Sequence, residues 1–264
     1  MILIDTHVHI YPVHDPAAVL ENGWKNLQQA AHNLPGGGGA SLVLCLAERS
    51  DCHAFEALSS GTASVPGRLE VNVVENSRAL QVSGEGNLAL RIVAGRQVQT
   101  RDRLEVLCLT VDAKLEDGLG LDETVARVRD AGGVSVLPWS PGKWWGSRGE
   151  QVRAVVDAAE PGDILIGDSS LRPRGWPEDP VLHQAAARGI GVVAGTDPLP
   201  FANQERVAGS YGSRIDHSLA EKAPASSLAE ALTSLRGRAE PIGRRRSLFD
   251  VLRCQVALRR GSNR

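Results

Sequence analysis

Short runs of Val, Leu and Ile recur along the chain and alternate with longer segments whose apolar residues fall three and four positions apart. A brief continuous apolar run suits a strand covered on both faces, and the wider spacing suits a helix with one apolar stripe. The pattern predicts strands at Ile2–His7, Ser41–Leu46, Leu69–Val74, Leu88–Val93, Leu104–Val111, Val134–Leu137, Ile164–Gly167 and Ile190–Ala194. Helices are expected over Ala17–Leu34, Leu121–Ala131, Glu150–Ala159 and Pro180–Arg188, with Leu121, Val125 and Val128 marking one stripe. Strand and helix in alternation predict β-α units around a parallel sheet. The fold class expected is α/β: a TIM-like, distorted β/α barrel with a helical C-terminal extension.

Two stretches depart from this rhythm. Arg68 to Arg101 holds strand-like runs without a helix, so a hairpin is expected in place of a crossover. Pro35 and the four glycines after it read as a loop. After Asp197 a polar loop leads into helical segments at Ser226–Arg236 and Arg244–Arg260. Residues 1–200 are therefore taken as the barrel and 201–264 as an Arg-rich helical cap of the same domain, and no internal repeat is visible.

Composition adds bounds. A chain of 264 residues is long enough for one barrel, and 42% hydrophobic with 23% charged residues excludes collagen-like, disordered and disulfide-scaffold classes. Aromatic residues are 4% of the chain, yet five are Trp, so aliphatic residues must build the core. A net charge of −2 excludes a global field toward nucleic acid or membrane. The charge is uneven: Arg236 to Arg264 contains nine Arg against Glu240 and Asp250. A solvated basic helix or a homo-oligomer contact is read ahead of an anion-binding surface, and nucleic acid ranks last. Cys45, Cys52, Cys108 and Cys254 form no C-x-x-C pair and are expected to be reduced. With no leader-like opening and no membrane-length apolar segment, a cytoplasmic protein is expected.

The strongest chemical signal is Asp5-Thr6-His7-Val8-His9 at the end of the first strand. Residues i and i+2 of an extended segment point the same way, so both imidazoles project to one side, where neutral His ligates Zn, Fe or Mn. The second signal is Gly195-Thr196-Asp197-Pro198, where Asp197 ends the last strand beside the first and is either a ligand or proton acceptor, or the start of a turn. The third is the loop Pro138–Gly149, in which Trp139, Lys143 and Arg148 offer an aromatic wall and two cations, or a structural plug. A similar loop carries Asp168 and Arg172. His14 lies near enough to the first motif to support it from behind.

These motifs resemble the ends of amidohydrolase-like barrels, and more closely the polymerase and histidinol phosphatase (PHP) family, whose metal sites open with H-x-H after strand one. The resemblance spans most of residues 1–200. Asp5–His9 matches the opening motif and Gly195–Asp197 the closing one, although Leu199 stands where a further His is expected. The family's Asp-His pair would fall near Leu46–Arg49, which offers Glu48; its bridging Glu near Gln97; its next His near Glu105; and its His-Pro strand end at Leu137-Pro138-Trp139. The resemblance implies either a reduced site of His7, His9, Glu105 and Asp197 around one or two divalent ions (Zn, Mn or Fe), or a divergent chain that has lost the chemistry. An amidohydrolase site would need further strand-end histidines, and His183 and His217 fall elsewhere.

The function expected is a metal-dependent hydrolase acting on a small anionic molecule, phosphoester cleavage ahead of C–N hydrolysis. Asp197 or Glu105 would take the proton of the attacking water, and Lys143, Arg148 and Arg172 would stabilise developing charge beside Trp139. The competing class is a non-catalytic barrel that binds an anion or a partner.

Overall fold

The structure is a computed structural model that describes residues 1–75, 78–112 and 115–261. Its strands are β1 (Ile2–Val8), β2 (Ser41–Leu46), β3 (Leu69–Glu75), β4 (Ala79–Gly84), β5 (Leu88–Val93), β6 (Gly95–Gln99), β7 (Glu105–Leu109), β8 (Val134–Pro138), β9 (Leu165–Ser169), β10 (Gly191–Gly195), β11 (Tyr211–Ile215) and β12 (Glu240–Gly243). The helices are α1 (Pro16–His32), α2 (Ala54–Ser59), α3 (Leu121–Asp130), α4 (Ser147–Ala158), α5 (Pro180–Ala187), α6 (Pro224–Thr233) and α7 (Leu248–Gly261). Local chemistry sets several ends. Helices α1 and α5 both start with Asp-Pro, in which the Asp carboxylate accepts from the N–H two residues on while Pro, lacking an N–H, fills the first turn.

The barrel expectation is overturned. The strands form two separate mixed sheets, of seven strands in the order β12-β11-β1-β2-β5-β4-β3 and of five in the order β10-β9-β8-β7-β6, and no closed ring exists. The reason lies in edge occupancy. Strand β1 is paired on one side to β2 in parallel and on the other to β11 antiparallel, so no ladder edge remains for β10. The antiparallel run β3-β4-β5 then extends the larger sheet outward.

The sheets face each other across a shared core, with Ile2, Ile4 and Val43 from one and Leu107, Val136, Leu165 and Val193 from the other. Helix α6 closes that core with Ala225, Leu228 and Leu232. A second core packs α1 on the outer face of the larger sheet, and a third packs α3, α4 and α5 on the smaller. The sheets approach at two seams. At one, the Asp197 N–H donates to the His7 carbonyl at 2.9 Å and Thr6 Oγ1 to the Ala194 carbonyl at 3.0 Å. At the other, the Glu48 N–H donates to Gly95 and the Gln97 N–H to Glu48. Gly195 permits the first approach, since a Cβ there would stand 2.6 Å from the His7 Cβ.

Because β8, β9 and β10 run parallel to one another and β1, β2 and β5 likewise, the carboxyl ends that carry the sequence motifs gather at one end of the sheets. The hairpin expected between Arg68 and Arg101 is present as the antiparallel run β3-β4-β5, after which β6 crosses to the smaller sheet. The segment after residue 200 holds its two helices and also β11 and β12, strands too short and polar to show an apolar run; Pro241 sits in the edge strand β12, where a missing donor is tolerated. All four cysteines are buried and free. No helix among the described residues is long and apolar enough to cross a membrane.

Candidate metal centre

Strand β1 loses regular register against β2 between Asp5 and Val8, which is where its histidines begin. His7 and His9 are both buried, and their Nε2 atoms stand 3.0 Å apart. Asp197, from the end of β10, brings Oδ1 to 3.6 Å from His7 Nε2 and 3.7 Å from His9 Nε2. Gln97 of β6 places Oε1 at 3.2 Å from His7 Nε2. His7, His9 and Asp197 form the one group of three or more such side chains among the described residues able to hold a metal ion.

The donor set fits a cation. Two imidazole nitrogens, a carboxylate oxygen and an amide oxygen converge, each able to offer a lone pair. Two ligands held by a tetrahedral ion at about 2.0–2.1 Å lie roughly 3.3 Å apart, within the spread of these separations. Burial, and next the charge of His7, lower the His9 pKa to about 3, so its imidazole is a neutral ligand at ordinary pH and the contact with Asp197 is not an ion pair.

The backbone fixes Asp197 from both sides. Its φ of 52° lies in the left-handed region, which Asp tolerates better than most residues. Its N–H bonds to His7, and its carbonyl accepts from Arg246 Nη2 at 3.0 Å. Arg246 spends its remaining N–H groups on Ser170 Oγ, Gln204 Oε1, Cys254 Sγ and the Thr196 carbonyl. Behind the pair of histidines, the buried Asp5 carboxylate accepts from the N–H groups of His7, Thr196 and Gly209 and from the Thr196 hydroxyl, tying β1 to the turn before Asp197. Burial nonetheless pushes its pKa up to about 6.

The other predicted residues are placed differently. Glu105 lies outside the ligand group and receives Lys143 Nζ. Arg172 is buried and grips Asp168 with two bonds, at 2.8 and 2.6 Å, while the Tyr211 hydroxyl donates to the same carboxylate at 2.7 Å. Arg148 donates to the Gly142 carbonyl. Trp139 is buried, donates to Asp179, and lines with Trp145 and Trp176 a groove of about 280 Å³ against α7. His14 stands behind the site as expected, bonded to the Leu199 carbonyl and accepting the Tyr11 N–H.

Two residues escaped the sequence reading. Tyr11 stacks on His9 with ring centroids 5.0 Å apart, and Arg49 lies over the Tyr11 ring at 5.9 Å. Tyr11 continues the alternation of His7 and His9, a signal that was available. Arg49 sits beyond β2 and had none. Burial, reinforced by the Asp197 charge, raises the Tyr11 pKa, so its hydroxyl keeps its proton.

No protein-family model matches the chain, and no curated protein matches it. Among solved structures, PsfC from Pseudomonas syringae PB-5123 aligns with a TM-score of 0.55 at 14% identity, over 97% of this chain and 96% of that one. The lesion-specific endonuclease PfuEndoQ from Pyrococcus furiosus aligns with a TM-score of 0.48 at 10% identity, over 89% of this chain and 57% of that one. The likeness to PsfC is one of fold, and the second alignment is too loose to bear on function.

Proposed function

We propose that the chain is a metal-dependent hydrolase, divergent from the PHP enzymes its opening motif resembles, with a small phosphoester as its substrate class ahead of an amide. The observation that carries this is the convergence of His7 Nε2, His9 Nε2, Asp197 Oδ1 and Gln97 Oε1 in a space walled by buried histidines and a buried Asp. A divalent ion there supplies Lewis acidity, polarising a phosphoryl or carbonyl oxygen and lowering the pKa of water. Asp197 is the nearest carboxylate able to accept a proton, since among the described residues only the two histidines face its side chain. Tyr11 is a protonated donor at the rim, and Arg49, paired with the exposed Asp51 at 3.1 Å, is the cation beside it. Lys143, held to Glu105, adds a second.

A second reading, a non-catalytic protein that binds an anion or a partner, is favoured by one observation: Arg172 and Lys143 are already engaged with Asp168 and Glu105. Elemental analysis of the purified protein and of His7→Ala separates the two. The hydrolase reading expects about one equivalent of transition metal or more, lost in the variant, and turnover of phosphoesters by the loaded protein. No metal in either sample after incubation with Zn, Mn or Fe would end it.

A further inference from the structure

The turn that follows Asp197 and the inner side of α7 enclose a cavity of about 420 Å³ that the hydrolase reading does not use. Arg206, Arg246 and Arg253 line it, and among the described residues none of the three forms an ion pair. The one acidic residue in the wall, Asp250, accepts from the Ser247 hydroxyl at 2.6 Å at the start of α7, so three Arg stand against a single carboxylate. Arg246 is half-buried, and every acceptor around it is neutral: a hydroxyl, an amide oxygen, a thiol and two carbonyls. A guanidinium withdrawn from water without a counter-charge leaves a positive potential in the cavity that an anion would lower.

The wall also presents hydrogen bonds to receive one. Gln204, buried in the wall, gives its oxygen to Arg246, and its amide nitrogen has no hydrogen bond among the described residues. Arg206 has no side-chain hydrogen bond among the described residues, and Arg253 has only the Phe249 ring beneath it. Phe201, Val207 and Ala257 complete the wall with apolar surface.

We propose that this cavity is a binding site for a small phosphorylated molecule, with Arg206, Arg253 and the Gln204 amide as donors, Arg246 as fixed positive charge, and the apolar wall against the ligand's carbon frame. The site needs no metal; none of His7, His9 and Asp197 lines it, and the two places share Arg246, which also holds the Asp197 carbonyl.

Inorganic phosphate is the probe, titrated into the full chain stripped of metal by chelation, with chloride at matched ionic strength as control. Binding is read by calorimetry and by the thermal midpoint. The site expects saturable binding in the wild type and an equal response in His7→Ala. Arg206→Ala or Arg253→Ala should each weaken it about tenfold, the worth of one charge-assisted hydrogen bond. Both positions are exposed, so the phosphate-free midpoint should hold and report that the variants fold. Phosphate acting no differently from chloride, binding undiminished in the double variant Arg206→Ala/Arg253→Ala, or binding lost in His7→Ala would each overturn the proposal. The last result would put phosphate at the histidine cluster and leave the hydrolase reading standing, whereas absence of metal alone would leave this site standing.

Discussion

Asp168 and Asp197 end neighbouring strands, β9 and β10, and both are buried, yet their surroundings are opposite. Asp168 accepts two bonds from Arg172 and one from Tyr211, so its charge is met within the protein. Among the described residues the Asp197 carboxylate has only two histidine nitrogens, at 3.6 and 3.7 Å, one of them on an imidazole held neutral. A saturated buried carboxylate belongs to the fold. An unsaturated one that faces other lone pairs is a place for a cation. Asp5, with four donors, falls on the structural side of that line although it is two residues from a ligand.

The sharpest way to break this contrast is to delete each carboxylate in metal-free protein. Asp168→Ala leaves a buried Arg172 with only the Glu178 carboxylate, 3.8 Å away, and chemical denaturation should show a loss of about 3 kcal/mol. Asp197→Ala removes a charge the protein does not satisfy, and its metal-free stability should move by less than about 1 kcal/mol. Equal losses would erase the distinction.

The next effect comes from the ion. Zn or Mn at a hundredfold excess over its dissociation constant should stabilise the wild type by about 2.7 kcal/mol, and His7→Ala by nothing. A metal-induced rise in midpoint that survives in His7→Ala would move the site elsewhere.

Arg246 sharpens the contrast from behind, because it holds the carbonyl and not the carboxylate of Asp197. Arg246→Ala should weaken metal affinity about 10- to 100-fold, as losses of supporting partners do, with partial recovery in Arg246→Lys. Affinity equal to wild type would show that the left-handed turn stands without it.

The smallest change is expected at the rim. Lys143 and Glu105 are partly exposed, and Lys143→Ala should cost less than about 1 kcal/mol in stability. If turnover of an anionic substrate is found, the same variant tells by its KM whether Lys143 contacts that substrate.

Sequence by itself determined the eight apolar strand cores and most helices, because short buried runs and amphipathic stripes are local patterns. It also marked His7 and His9, since two-residue alternation at a strand end is written in neighbouring positions. Strands β11 and β12 were not legible: Tyr-Gly-Ser-Arg-Ile and Glu-Pro-Ile-Gly carry no apolar run, and they are strands because β1 offers an edge to β11 and β11 in turn offers one to β12. That same pairing occupies the edge a barrel would have needed for β10, so the choice of two sheets over a closed ring was made by tertiary contacts alone. The roles of the carboxylates were decided there too. Asp5, Asp168 and Asp197 are alike as letters, and the donors that Thr196 and Gly209 bring to the Asp5 carboxylate and Arg172 and Tyr211 to that of Asp168 separate structural charge from the Asp197 carboxylate left open for a ligand.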